Sequence, residues 1–184
     1  MLEFSFTWFL EGFLHPLETP SHLILLVALG VLLGQQASAH LMRNLLLFCV
    51  AVIAGFIINH SFSIQWNNEL ILLILALFIS LFTVLRLDHR LSWVQWMLPL
   101  LSIGCGLMLG LDSSPVIIPG LGADTFYNWL LGASIGIYAT VMILTIISAL
   151  LRNLFQGIIL RVLASWIATS ALFVLTLLMV NVSL

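Results

Sequence analysis

The chain is organised around residues 12–22, GFLHPLETPSH, and the apolar run that follows them, LILLVALGVLL over residues 23–33. The first stretch contains two histidines, a glutamate and two prolines. The second stretch carries no charge, and we predict that it forms most of a helix over residues 21–39. The pattern therefore places ionisable side chains directly at the mouth of an apolar helix.

The composition predicts that most of the chain lies in a lipid bilayer. Of the 184 residues, 62% are hydrophobic and 7% are charged, and the mean hydropathy is +1.25. Soluble domains carry about 25% charged residues, so this inventory cannot cover a water-facing surface. Because backbone groups in lipid must hydrogen bond to one another, we predict an all-α integral membrane protein. The net charge of −2 offers no basic surface for nucleic acid, and we expect no nucleic-acid partner.

Six apolar runs are long enough to cross a hydrocarbon core of about 30 Å. We expect residues 1–184 to form a single transmembrane domain. A short amphipathic segment over about 3–14 precedes the spans, and it is either a helix lying in the interface or a re-entrant segment. The six predicted transmembrane helices cover residues of about 21–39, 43–60, 68–86, 91–111, 126–151 and 157–182.

The distribution of charge predicts the orientation of these helices. All five basic residues are arginines, and they fall at connections on one side of a six-helix arrangement: Arg43, Arg86, Arg90, Arg152 and Arg161. Cytoplasmic loops carry an excess of Lys and Arg. We therefore expect a multi-pass protein of the bacterial inner (cell) membrane, with both termini and most carboxylates on the outer side.

Three glycine pairs have a spacing that lets helices approach closely. They are Gly30/Gly34, Gly106/Gly110 and Gly132/Gly136. We interpret these pairs as packing features rather than as evidence for a particular oligomer.

His15, Glu18 and His22 are the first candidates for a binding site. Pro16 and Pro20 make one continuous helix through them unfavourable, so we predict a His-Pro turn, with Ser21 as the N-cap of the first span. Imidazole nitrogen suits nickel, copper, zinc and iron. The alternative is that both histidines lie in the interface and hydrogen bond to loop carbonyls.

Glu69 opens the third predicted span on the same outer side. A carboxylate at a helix N-terminus is stabilised by the helix dipole, which explains it without a binding role. In the functional interpretation Glu69 faces His22, and His60 at the end of the second span joins the same cluster. The sequence contains no phosphate-binding glycine loop, nucleophile elbow or HExxH motif, so we expect no enzymatic activity.

Residues 12–34 resemble the opening motif of the HupE/UreJ family, small membrane proteins regarded as nickel or cobalt permeases. The family pattern is roughly His-Pro-x-x-Gly-x-Asp-His before a leucine-rich helix, and here it reads HPLETPSH over 15–22 and LVALGVLLG over 26–34. The family's glutamate at the start of the third helix matches Glu69. Its fourth helix ends in His-Gly-x-Ala-His-Gly-x-Glu, whereas the matching segment here, CGLMLGLD over 105–112, keeps the glycines and ends in Asp112 but lacks both histidines.

The resemblance implies a permease for a divalent transition metal, most simply nickel, with His15, His22 and Glu69 in an outer-facing uptake site and Asp112 as a further ligand. One alternative is a non-transporting structural or assembly subunit of a membrane complex, which has lost the metal site and binds a membrane-protein partner or a second copy of itself. A third is a protein that binds haem or another cofactor, with His22 and His60 as axial ligands.

Overall fold

The computed structural model describes residues 4–36, 40–62, 68–85, 92–113 and 123–182. These residues are almost entirely helical and contain no strand, which confirms the all-α prediction. A short 3-10 helix, Leu154–Gly157, precedes the last α-helix. The α-helices are α1 (Phe6–Glu18), α2 (Pro20–Gln36), α3 (Leu41–Phe62), α4 (Asn68–Leu85), α5 (Ser92–Asp112), α6 (Ala123–Leu151) and α7 (Ile158–Val182).

The helices have the length and composition of a multi-pass membrane protein. Within the described residues, the five helices α3 to α7 are each long and apolar enough to cross a membrane. Helices α1 and α2 meet that criterion only as a pair, which is bent by 73°. The predicted count of six spans is reached when this bent pair forms one span. Large exposed side chains on α3 and α7, such as Ile57 and Phe173, form the apolar outer surface that a lipid bilayer requires.

Helix α2 lies at the centre of the bundle because it is apolar on all sides. It packs against α1, α4, α5, α6 and α7. Leu25, Leu29 and Leu32 are fully buried, and most of the other residues of the helix are buried as well. The apolar run over residues 23–33 is therefore the core around which the other helices assemble.

Glycines create the closest helix contacts. A Cβ atom added at Gly110 of α5 would overlap the backbone of α3 at Val52, and one added at Gly132 of α6 would overlap the backbone of α1 at Phe9. Gly34 likewise brings α2 against the backbone of α6. All three glycine pairs predicted from spacing thus lie at close helix crossings.

Helix α1 differs from the prediction. It continues through the predicted His-Pro turn, since Pro16 is buried inside it, and the chain bends at Thr19 instead. A proline removes one backbone hydrogen bond, and here that loss falls in the last turn, where the helix is about to end. The backbone N–H and the hydroxyl of Thr19 both donate to the carbonyl of His15, each at 3.1 Å, and close the turn.

The position of α1 is fixed by α6. Contacts of Phe9 and Phe13 with α6 extend to Gly136, which lies about 20 Å along α6 from its first residue. Helix α1 therefore runs beside α6 rather than across its end. Of the two arrangements considered for the N-terminal segment, this packing and the bend favour a re-entrant or broken span.

Side-chain hydrogen bonds show which helix termini meet at one end of the bundle. The Gln35 amide, near the end of α2, donates to the Thr83 carbonyl near the end of α4 at 3.0 Å. Arg161, near the start of α7, donates to the Val84 carbonyl at 3.1 Å. We call this the arginine end, because the described arginines are all here: Arg43, Arg152 and Arg161.

The opposite end, where α2 and α4 begin and α5 ends, is called the acidic end. Glu69 and Asp124 lie in the first turns of α4 and α6, and Asp112 is the last residue of α5. The described charges are thus separated between the two ends as the sequence predicts. Glu3, Arg86 and Arg90 lie outside the described residues.

Candidate functional site

A histidine–aspartate pair lies at the acidic end, where α2 begins. Nε2 of His22 is 2.6 Å from Oδ2 of Asp112. His22 is 1% exposed and the Asp112 side chain is 24% exposed, so one partner is buried and the other reaches the surface. This distance is that of a hydrogen bond, in which the Nε2–H tautomer of His22 donates to the carboxylate.

The other ring nitrogen of His22 faces Ser113. The distance from Nδ1 to the hydroxyl oxygen is 3.5 Å, at the long limit for a hydrogen bond. The two ring nitrogens of His22 therefore face consecutive residues: Asp112, the last residue of α5, and Ser113, which follows it. The family resemblance predicted that Asp112 belongs to the site, whereas nothing in the sequence pointed to Ser113.

His15 lies beside the His22–Asp112 pair. These three residues, His15, His22 and Asp112, form the group considered below. Its ring centroid is 5.4 Å from that of His22, with the two rings nearly perpendicular. Two imidazoles that bind one ion through nitrogens at about 2.1 Å, at a tetrahedral angle, have centroids roughly 5 Å apart. The structure thus brings together His15, His22 and Asp112, three of the four residues predicted to bind a metal.

Trp129 holds the His15 ring on its other side. The two ring centroids are 5.2 Å apart, and the indole is only 8% exposed. Trp129 was not predicted from the sequence to be part of the site, since a tryptophan near a predicted helix end is typical of the membrane interface. The signal was its place three residues before Gly132 of the Gly132/Gly136 pair, which brings α1 onto α6.

An open groove of about 380 Å³ runs along α1 beside His15. Glu11 and Glu18 lie four residues before and three residues after His15, so all three side chains share one helix face. Both carboxylates are exposed, whereas His15 is half-buried. The groove therefore leads from the exposed acids to His15, whose ring lies beside that of the buried His22. Its lining residues are Thr7, Leu10, Glu11, Leu14, His15, Glu18 and Trp129.

Ser21 is buried inside the first turn of α2 and does not cap the helix as predicted. The helix begins one residue earlier, at Pro20, and the carbonyl of Thr19 accepts the first backbone bond from Leu23 at 3.0 Å. Proline is well suited to this first helical position. Among the described residues the Ser21 hydroxyl has no hydrogen-bond partner, although it is fully buried. It leaves one polar atom without a partner directly beside His22 in the chain.

Glu69 is not brought into the group. It is half-buried in the first turn of α4 at the same end of the bundle. No hydrogen bond or ion pair joins it to His15, His22 or Asp112. The physical reason is that the end of α5, rather than the start of α4, contacts the His22 ring.

His60 lies apart from His22. It is exposed, and its ring packs on Phe126 at a centroid distance of 5.2 Å. Axial haem ligands must face each other across an iron atom, whereas His22 is already paired with Asp112. No observation on the described residues favours the haem hypothesis.

The donors do not already form a complete coordination shell. Within the described ranges, no group of three or more His, Cys, Asp or Glu side chains is arranged to hold a metal ion. Metal ligands must be deprotonated, so an ion that binds Nε2 of His22 displaces the proton shared with Asp112. As it stands, the arrangement is a hydrogen-bonded His–Asp pair with a second imidazole beside it.

Comparisons with protein-family models, with curated proteins and with solved structures give no match.

Proposed function

We propose that the chain is a HupE/UreJ-like permease that carries a divalent transition metal, in the first place nickel, across the bacterial inner membrane. The observation that supports this most directly is the buried His22–Asp112 pair with the ring of His15 at 5.4 Å. Two imidazoles and a carboxylate are a donor set that suits these ions. The role is transport rather than enzymatic catalysis.

The electrostatics of the acidic end support capture of a cation. Glu11 and Glu18 flank His15 along the open groove, and clefts lined by one sign of charge concentrate ions of the opposite sign. In the proposed orientation this end and both termini face the outside, since the arginine end faces the cytoplasm. Ionisable side chains within a membrane-spanning bundle are expensive to bury and usually functional.

Nickel binding by the purified chain tests the proposal. We expect equilibrium dialysis in a neutral detergent to give a single nickel ion per chain. Asp112→Asn keeps an acceptor for the His22 N–H but removes the charge, so affinity should fall by at least about tenfold. Glu69→Gln is the matched control at the same end of the bundle, and its affinity should equal that of the unmodified chain. Equal losses in both variants, or no binding at all, would rule the site out.

A second candidate function is that of a non-transporting subunit that stabilises or assembles a membrane complex. The observation that favours it is the closed interior beyond His22, where Leu25, Leu26 and Leu29 are fully buried. Three hydroxyl groups of α4 and α6 are already hydrogen bonded within their own helices. Ser80, Thr83 and Ser134 donate to carbonyls of their own helices, and a permease must open this region during transport.

Reconstitution in liposomes separates the two functions. If the chain is a permease, liposomes that contain it take up nickel faster than protein-free liposomes do. A structural subunit gives no uptake, and it co-purifies from the membrane with a protein partner or as a homo-oligomer. Nickel uptake without any partner would exclude the second candidate.

A further inference from the structure

The arginine end carries a groove of about 270 Å³ on the outer surface of the bundle, between the end of α4 and the start of α7. One cationic side chain, Arg161, stands in it among apolar neighbours. Ile158 and Val162 are 55% and 44% exposed, so they form open apolar walls rather than a closed core. The lining residues are Val84, Ile158, Arg161, Val162 and Ser165.

The guanidinium of Arg161 is held in place by the backbone of α4. Its Nε–H donates to the carbonyl of Val84 at 3.1 Å, one of the last carbonyls of α4, which no N–H of that helix can satisfy. The bond uses the Nε–H edge of the guanidinium, and the edge formed by the two terminal nitrogens can serve another acceptor. Within the described part of the chain, no carboxylate pairs with Arg161.

The surroundings of the groove are those of a membrane interface. Trp166, about 8 Å further along α7, is 68% exposed, and tryptophan is enriched at the level of lipid headgroups. The exposed surface of α7 beyond it is rich in large apolar side chains, including Phe173 and Leu177. An oriented cation with apolar walls toward the bilayer matches the two parts of a phospholipid, its charged headgroup and its acyl chains.

We propose that this groove binds an anionic phospholipid, with the phosphate hydrogen bonded by the terminal N–H groups of Arg161 and an acyl chain lying against Ile158 and Val162. Arginine binds phosphate through two parallel hydrogen bonds, and basic pockets between transmembrane helices bind anionic headgroups. The lipid would join α4 to α7 at the place where the Arg161–Val84 hydrogen bond already connects the helix ends. The proposal does not depend on metal transport.

The test is lipid retention by the full chain in a neutral detergent, measured by native mass spectrometry together with the midpoint of thermal unfolding. We expect phosphatidylglycerol to be retained and to raise the midpoint, and phosphatidylcholine to do neither. Arg161→Gln should reduce phosphatidylglycerol retention by at least about tenfold, because it removes a charge-assisted, bidentate contact. Arg43→Gln is the matched control, since Arg43 is exposed at the same end but does not line the groove.

A second variant tests the groove without touching the bond between Arg161 and Val84. Ile158→Glu places a carboxylate in the first turn of α7, where the helix dipole favours it, and it should repel the phosphate and abolish the lipid effect. Equal retention of phosphatidylglycerol by Arg161→Gln and the unmodified chain would overturn the proposal. So would an equal rise in the midpoint with inorganic phosphate alone, since the source would then be a free anion. Displacement of the lipid by a co-purifying protein at this face would also overturn it.

Discussion

Replacing His22 with glutamine is expected to reduce nickel uptake by cells that express the chain by at least about tenfold. The glutamine amide can still donate a hydrogen bond to Asp112, so the carboxylate keeps a partner. The imidazole nitrogen, which transition metals prefer over an amide, is lost. Uptake of radioactive nickel in a host that lacks its own high-affinity nickel transporter measures the effect directly.

The matched control for this variant is His60→Gln. His60 is a described histidine near the acidic end, on α3. It is exposed beside Phe126 and does not belong to the group of His15, His22 and Asp112. Its replacement should leave uptake unchanged. Both variants are compared at equal amounts of protein in the membrane, because His22 is buried and its loss can lower the yield of folded chain. Uptake by His22→Gln at the level of His60→Gln would refute a role for His22 in binding nickel.

Gly110→Leu is expected to destabilise the bundle by about 3 kcal/mol, near the upper end of typical overpacking effects. At this position the backbones of α3 and α5 are in contact, and a side chain would overlap Val52 and Gly55. No rotamer relieves the overlap, since the neighbouring atoms belong to the backbone. The midpoint of thermal unfolding in detergent, or the yield of folded chain, reports the loss.

Gly104 provides the control on the same helix. A Cβ at Gly104 would meet no atom within 4 Å, so Gly104→Leu adds the same side chain at the same type of residue without a clash. Its unfolding midpoint should match that of the unmodified chain. If both substitutions are tolerated equally, the close α3–α5 crossing is not what stabilises the bundle.

The spans were predictable because lipid imposes a simple physical demand. A segment that crosses hydrocarbon must be helical and apolar for about 20 residues, and such runs can be read directly from composition. The close helix contacts at the glycine pairs could likewise be predicted, from the spacing of the glycines. A lipid-facing surface does not require glycine at positions 132 and 136. In the structure these two residues allow the backbone of α1 to pack closely against α6.

The bend was harder to locate because it depends on tertiary packing. Pro16 and Pro20 both interrupt helices in isolation, and the sequence does not distinguish them. The structure retains Pro16 inside α1, where it is buried, and it bends the chain at Thr19. Local propensity was therefore overruled by the contact of α1 with α6.

The site was only partly predictable for a similar reason. His15 and His22 belong to one stretch, so their proximity follows from the chain itself. The carboxylate partner of His22 comes from a different helix, and the choice between Glu69 and Asp112 depends on how α4 and α5 are placed around α2. The structure pairs His22 with Asp112, and no rule of local sequence identifies that choice.

X-ray absorption at the nickel edge tests the central claim, that His15 and His22 bind one ion beside Asp112. We expect nickel bound to the unmodified chain to show scattering from two imidazole rings, and nickel bound to His15→Ala to show scattering from one. Nickel bound with no imidazole ligand, or an unchanged spectrum in His15→Ala, would contradict it.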